Sequence, residues 1–212
     1  MIEFLSFQKS YHSNLILSIP QFNLDSGIYF LKGPNGVGKT TLLQSIAGLI
    51  DFEGKIVLNK NIDLKSNPVA FRSLVNYGVA EPKFPDFLTG EDMIEIFLTG
   101  KRGKREHVEY LISFMGLKSF INQKIGEYSS GMLKKLSLLC AFLGESQWIL
   151  LDEPFTTLDN KSVEDLIQWV LHYQEKFGSN FIISSHQLLP IEIQSSCKVI
   201  AIEDKTLNWV EA

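Results

Sequence analysis

Cysteine is nearly missing from this chain: only Cys140 and Cys197 occur, with no C-x-x-C pair and no cysteine–histidine ligand cluster. A disulfide-framed scaffold and a zinc-finger-type site are therefore excluded, and both thiols lie in apolar runs where sulfur acts as a small hydrophobe. That usage fits a reducing compartment. Long apolar stretches are lacking too, since no window approaches the ~20 residues a membrane-spanning helix needs. The first residues, MIEFLSFQKSYH, are broken by Glu3, Ser6, Gln8 and Lys9, which leaves no signal-peptide core. A soluble, cytoplasmic protein is expected. Clustered positive charge is scarce: the net charge is −4 and only KRGKR (101–105) is locally basic. A dedicated nucleic-acid binder needs more than this, and a solvated loop between helices accounts for the run. Repeats, low-complexity tracts and linkers are also lacking, so the 212 residues read as one domain.

What is present alternates. NLILSIPQF (14–22) and GIYFLKG (27–33) have the composition of short strands around a turn at Asp25-Ser26-Gly27. PNGVGKTTLLQSIAGL follows, with Leu42, Leu43, Ile46, Ala47 and Leu49 on one helical face. GKIVLN (54–59) and LVNYGVAEP (74–82) read as further strands. From Thr89 to Leu143 the period becomes helical, as in GMLKKLSLLCAFLG with Met132, Leu133, Leu136, Leu139, Cys140 and Leu143. WILLDEP (148–154) is almost wholly apolar, as a strand buried on both faces must be. A helix over 161–177 and strands NFIISSH and KVIAIED complete the chain. Strand–helix–strand order at both ends implies an α/β fold with a mainly parallel sheet and a helical insert between its halves.

GPNGVGKT (33–40) matches G-x-x-x-x-G-K-[ST] between a strand and a helix. Gly33, Gly36 and Gly38 let the backbone curl so that N–H groups of Pro34-Asn35-Gly36-Val37-Gly38 and beyond surround anionic oxygens, proline excepted. Lys39 supplies a mobile charge for β- and γ-phosphates, and Thr40, followed by Thr41, offers a hydroxyl to Mg²⁺ at the positive end of the helix. Asp152 ends the buried strand where it can hold Mg²⁺ through a water. Glu153, one residue on, can polarise a water in line with the γ-phosphate. YSSGM (128–132) stands just before a helical run, as a cap or as an anion site.

These residues together resemble the ABC-type ATPase domains. The loop at 33–40, YSSGM, ILLDEP (149–154), TTLD (156–159) and SSH (184–186) occur in that family's order over essentially the whole chain. The resemblance implies a P-loop NTPase core with an N-terminal antiparallel β portion and an inserted helical subdomain. Its core lobe would be 1–87 and 146–212, and its helical lobe about 88–145. It implies ATP and Mg²⁺ as cofactors, with Glu153 and His186 catalytic and Thr40, Glu81 and Asp152 on the metal. YSSGM takes the place of LSGGQ: Ser129 and Gly131 match, while Tyr128, Ser130 and Met132 depart. In the family this segment faces ATP held by a second domain, so a homodimer or heterodimer is implied, with Asp159 at the interface. Tyr11 sits where an adenine-stacking aromatic belongs, with a core tyrosine as the alternative.

Glu81 stands where the family commonly has glutamine, a departure shared with exporter-like members. Residues 82–97 correspond to the segment that meets a membrane subunit. Phe84, Phe87 and Leu88 there form either an exposed landing site or part of the helical core. The leading expectation is thus the ATPase subunit of a transporter, with export favoured, held at the cytoplasmic membrane face by its partner. A non-transport ATPase that remodels a soluble complex, such as an iron–sulfur assembly system, is the alternative.

Overall fold

The computed structural model describes residues 1–101, 103, 105–186 and 189–210, without the side chains of Glu106 and His107. The chain opens on a hairpin of β1 (Ile2–Tyr11) and β2 (Asn14–Leu24), in which Phe4 pairs Phe22 and Phe7 pairs Ile19. The sequence reading placed no strand before residue 14. The reason is local: Ser6 has φ 49 and the β1–β4 register shifts between Leu5 and Gln8. The inward residues therefore fall at Ile2, Phe4 and Phe7, and the period-2 signal is broken.

β3 (Ile28–Lys32) leads into α1 (Lys39–Ile46), then β4 (Glu53–Leu58), β5 (Ile62–Asp63), α2 (Pro68–Ser73) and β6 (Val75–Gly78). Three longer helices follow: α3 (Gly90–Lys101), α4 (Arg105–Phe114) and α5 (Ser130–Ala141). The chain then runs through β7 (Trp148–Asp152), α6 (Asn160–Phe177), β8 (Asn180–Ser185), α7 (Ile191–Gln194), β9 (Cys197–Glu203) and β10 (Thr206–Trp209). One sheet is antiparallel, ordered β2-β1-β4-β5; the other is ordered β10-β9-β3-β8-β7-β6 and is parallel except for β10.

Alternation along the parallel strands divides the core in two. Trp148 and Leu150 of β7 and Ile182 of β8 join Phe4, Phe7, Leu42 and Ile46 between the two sheets. Ile149, Leu151, Phe181 and Ile183 face the other way, against Ile94, Leu111, Leu136 and Ile167 of the long helices. Both faces of β7 are buried, which accounts for its unbroken apolar sequence.

Leu49, assigned to a buried helical face, is exposed, because α1 ends at Ile46 and Gly48 turns away at φ 69. The strand expected over 74–82 is paired only at Val75–Gly78. In KRGKR, Arg102 and Lys104 lie outside the described residues, and Lys101 is not solvated: its ammonium caps the carbonyls of Arg72 and Val75. Arg105 pairs with Glu91 and Glu95. No helix among the described residues is long and apolar enough to cross a membrane.

Candidate functional site

The loop 33–40 leaves the carboxyl end of β3, in the middle of the parallel sheet, and closes on the first turn of α1. Gly36 has φ 80 and Gly38, at the helix N-cap, has φ 112, so both use the left-handed region that a side chain would strain. Asn35, Gly36 and Thr40 are exposed, which leaves the mouth of the loop open. Lys39 is buried instead, and its ammonium donates to the carbonyls of Gly33 (2.8 Å) and Pro34 (3.2 Å), holding the charge over the loop.

One strand, β7, brings both carboxylates to this loop, and its parallel neighbour β8 brings their partners. Asp152, at the end of β7, is wholly buried and accepts from the Ser184 hydroxyl (2.6 Å) and the Tyr77 phenol (3.1 Å). Burial, then the Asp152 charge, push the Tyr77 phenol up, so it stays a donor. Glu153 follows with φ 44, a backbone region that costs a non-glycine residue on the order of 1–3 kcal/mol. Its N–H donates to both the carbonyl and the hydroxyl of Ser184, each at 3.1 Å. Its Oε2 lies 2.9 Å from His186 Nδ1 and its Oε1 lies 3.8 Å from Lys39 Nζ. The structure thus gathers Lys39, Asp152, Glu153 and His186 from three separate elements.

Lys134 was not anticipated. It sits on α5 with 1 % of its surface exposed and donates to the carbonyls of Val79 (3.1 Å), Ala80 (2.9 Å) and Asp152 (3.3 Å). Burial pushes its ammonium down to about 8, against the opposing charges of Asp152, Glu153 and Glu81. The signal was present: Leu138 and Ala141, on the same helical face, are core residues. Glu81 itself is exposed beyond β6.

YSSGM proves to be a helix cap. Ser129 is the N-cap of α5, its hydroxyl accepting from the Met132 N–H at 3.3 Å, and Ser130 is the first, exposed helical residue. Tyr128 is buried and donates to the Phe120 carbonyl (2.8 Å). A Cβ on Gly131 would lie 3.2 Å from the Thr157 carbonyl, so the segment before Asp159 packs close against it. Asp159 caps α6 in turn, through the N–H and hydroxyl of Ser162, both at 2.9 Å.

Tyr11 is 44 % exposed at the end of β1, with the Lys9 ammonium 4.7 Å from its ring centroid, which rules out the core alternative. Of the two readings of the segment 82–97, Phe84 and Leu88 follow the second and pack on the helical core, whereas Phe87 is 75 % exposed. His172 on α6 stacks on Trp169.

A family model described as "ABC transporter" matches residues 19–156, which include the loop, the α5 cap, Asp152 and Glu153. The chain belongs to the ABC transporter family. Members of this family bind and hydrolyse ATP, so this is an ABC ATP-binding subunit. It is 28 % identical to the ABC transporter ATP-binding protein YxlF of Bacillus subtilis, over 99 % of this chain and 70 % of that one. The cytochrome c biogenesis ATP-binding export protein CcmA of Legionella pneumophila is 29 % identical, over 90 % of this chain and 95 % of the relative. The zinc import ATP-binding protein ZnuC of Rickettsia prowazekii is 26 % identical, over 95 % and 82 %. Among solved structures, an ATP-binding subunit of an ABC transporter superposes with TM-score 0.87 at 23 % identity, covering 99 % of this chain and 90 % of that one. A dimeric post-hydrolysis ATP-binding cassette with ADP and Pi gives TM-score 0.84 at 19 % identity, covering both chains fully.

Proposed function

We propose that this ABC subunit hydrolyses ATP as one half of a dimer and thereby drives export through a separate membrane protein. The observation that carries the reading is the Glu153 carboxylate, held between His186 and Lys39 at the mouth of the phosphate loop. In this role the N–H groups of residues 35–41 and the Lys39 ammonium bind the β- and γ-phosphates beside Gly33 and Pro34, and the exposed Tyr11 ring stacks on adenine. Glu153 takes a proton from the water whose oxygen bonds to the γ-phosphorus as the bond to the bridging oxygen breaks. His186 orients Glu153 and the γ-phosphate.

The donor set fits Mg²⁺: a fixed, buried carboxylate on Asp152 and an exposed hydroxyl on Thr40, with the Glu81 oxygen nearby in sequence after β6. A cation that keeps its waters and binds phosphate oxygens needs few protein ligands, and no three-residue His/Cys/Asp/Glu cluster occurs among the described residues. When bound, Mg²⁺ would neutralise charge on the phosphate oxygens.

Ser129, Ser130 and Gly131 present the N-terminus of α5 to the γ-phosphate held by a second ATPase domain, with Asp159 crossing between the two. The dimeric fold neighbour supports this arrangement. Exposed Phe87, within 82–97, supports docking of that segment on a membrane subunit at the cytoplasmic face. Export is supported by the likeness to CcmA over nearly all of that relative and by Glu81 in place of glutamine.

Two measurements test the reading. The purified protein turns over ATP, while Glu153→Gln retains ATP and accumulates an ATP-bound dimer; turnover by that variant at the parent rate overturns the assignment of Glu153. Co-purification from detergent-solubilised membranes recovers a polytopic partner. Recovery of a soluble complex instead overturns the transport role.

A further inference from the structure

We propose that Lys134 is a positioning residue for hydrolysis: from the signature helix α5, it fixes the peptide that aims the Glu153 carboxylate. The inference rests on the ATPase reading above. An ammonium has three N–H donors, and Lys134 has three carbonyl partners, at Val79, Ala80 and Asp152. Two of these carbonyls belong to the residues directly before Glu81 and Glu153. The Asp152–Glu153 peptide is therefore held at both ends, its oxygen by Lys134 and its N–H by Ser184.

That clamp bears on a strained residue of the site. A fixed peptide plane sets the rotation about the N–Cα bond of Glu153, whose φ of 44 directs the side chain to His186 and Lys39. Without the ammonium, the Asp152 carbonyl loses its anchor and the backbone can relax to an unstrained angle, carrying the carboxylate off its line. A purely structural lysine, satisfying three carbonyls at the strand ends, would cost stability when replaced but would leave kcat per bound nucleotide unchanged.

The test compares the parent, Lys134→Met, Lys134→Gln and each paired with Glu153→Gln. Readouts are binding of a fluorescent ATP analogue, KM for Mg-ATP and kcat per bound nucleotide. Lys134→Met is expected to bind the analogue and show KM within twofold of the parent, while kcat falls about 100-fold, the cost of a carboxylate misplaced by about 1 Å. Lys134→Gln, with two remaining N–H donors, recovers part of that loss. In the Glu153→Gln background, Lys134→Met lowers turnover no further, because it acts through the same carboxylate. Parent-like kcat in Lys134→Met, no gain from glutamine, or multiplying losses in the paired variant would each overturn the inference. Should Lys134→Met fail to fold, Lys134→Gln alone and paired with Glu153→Gln carries the same comparison. An inactive parent overturns the ATPase reading and this inference together, whereas an active parent beside an unaffected Lys134→Met overturns this inference alone.

Discussion

Replacing Tyr77 by phenylalanine removes one hydroxyl from beneath the proposed metal site. That phenol donates to Asp152 Oδ2 at 3.1 Å, and its raised pKa keeps the proton in place across the working range. Asp152 is fully buried, so water does not freely replace the lost donor. A hydrogen bond to an ionised group contributes about 1.5–3 kcal/mol net, and about 2 kcal/mol is the expected loss here. In a chain of this size that lowers Tm by roughly 4–8 °C. Urea unfolding without nucleotide reads the stability, and titration with Mg²⁺ and an ATP analogue reads the metal site. Ser184→Ala should cost more, because that hydroxyl serves Asp152 Oδ1 and also accepts from the Glu153 N–H. The two substitutions combine non-additively, as they share one carboxylate. A loss below about 0.5 kcal/mol for Tyr77→Phe, with strictly additive effects in the pair, would refute the idea that hydroxyls fix this aspartate.

Gly131→Asp should leave monomeric ATP binding largely intact while abolishing ATP-dependent dimer closure, since even a Cβ there meets the Thr157 carbonyl at 3.2 Å and a carboxylate repels phosphate. Equal closure by parent and variant, measured by gel filtration with Glu153→Gln, would remove the role of this segment. Asp159→Ala should destabilise α6 at neutral pH. The hydrogen bonds from Ser162 lower the Asp159 pKa below its ordinary 3.8, so the stabilisation is present above that value and is lost as pH falls through the folded pKa. Denaturant midpoints for parent and variant should therefore converge in acid; a gap that stays constant to pH 2 contradicts the capping role.

Local, contiguous signals were legible in the sequence because each is set by neighbouring residues. The phosphate loop needs its glycines at fixed offsets, β7 needs an unbroken apolar run, and the α5 cap needs a serine ahead of a helical period. β1 was hidden by a bulge at Ser6, which moved the third inward residue from position 6 to Phe7. The fates of Leu49, Phe84 and Leu88 depended on where a helix stops and what packs over it.

The YSSGM segment shows both sides of that division. From the sequence alone, the segment could cap a helix or hold an anion. The structure shows the cap, and it places the Thr157 carbonyl against Gly131. For Lys134 the helical period put the residue on the face of Leu138 and Ala141 but could not name its partners. Its partners, Val79, Ala80 and Asp152, stand 55, 54 and 18 residues away in the chain, at the ends of β6 and β7. A lysine on a helix is ordinarily a solvated charge. Only the packing of α5 across those two strand ends turns it into a buried ammonium with three carbonyl partners, because long-range hydrogen bonds are decided by which backbone groups the fold leaves unpaired.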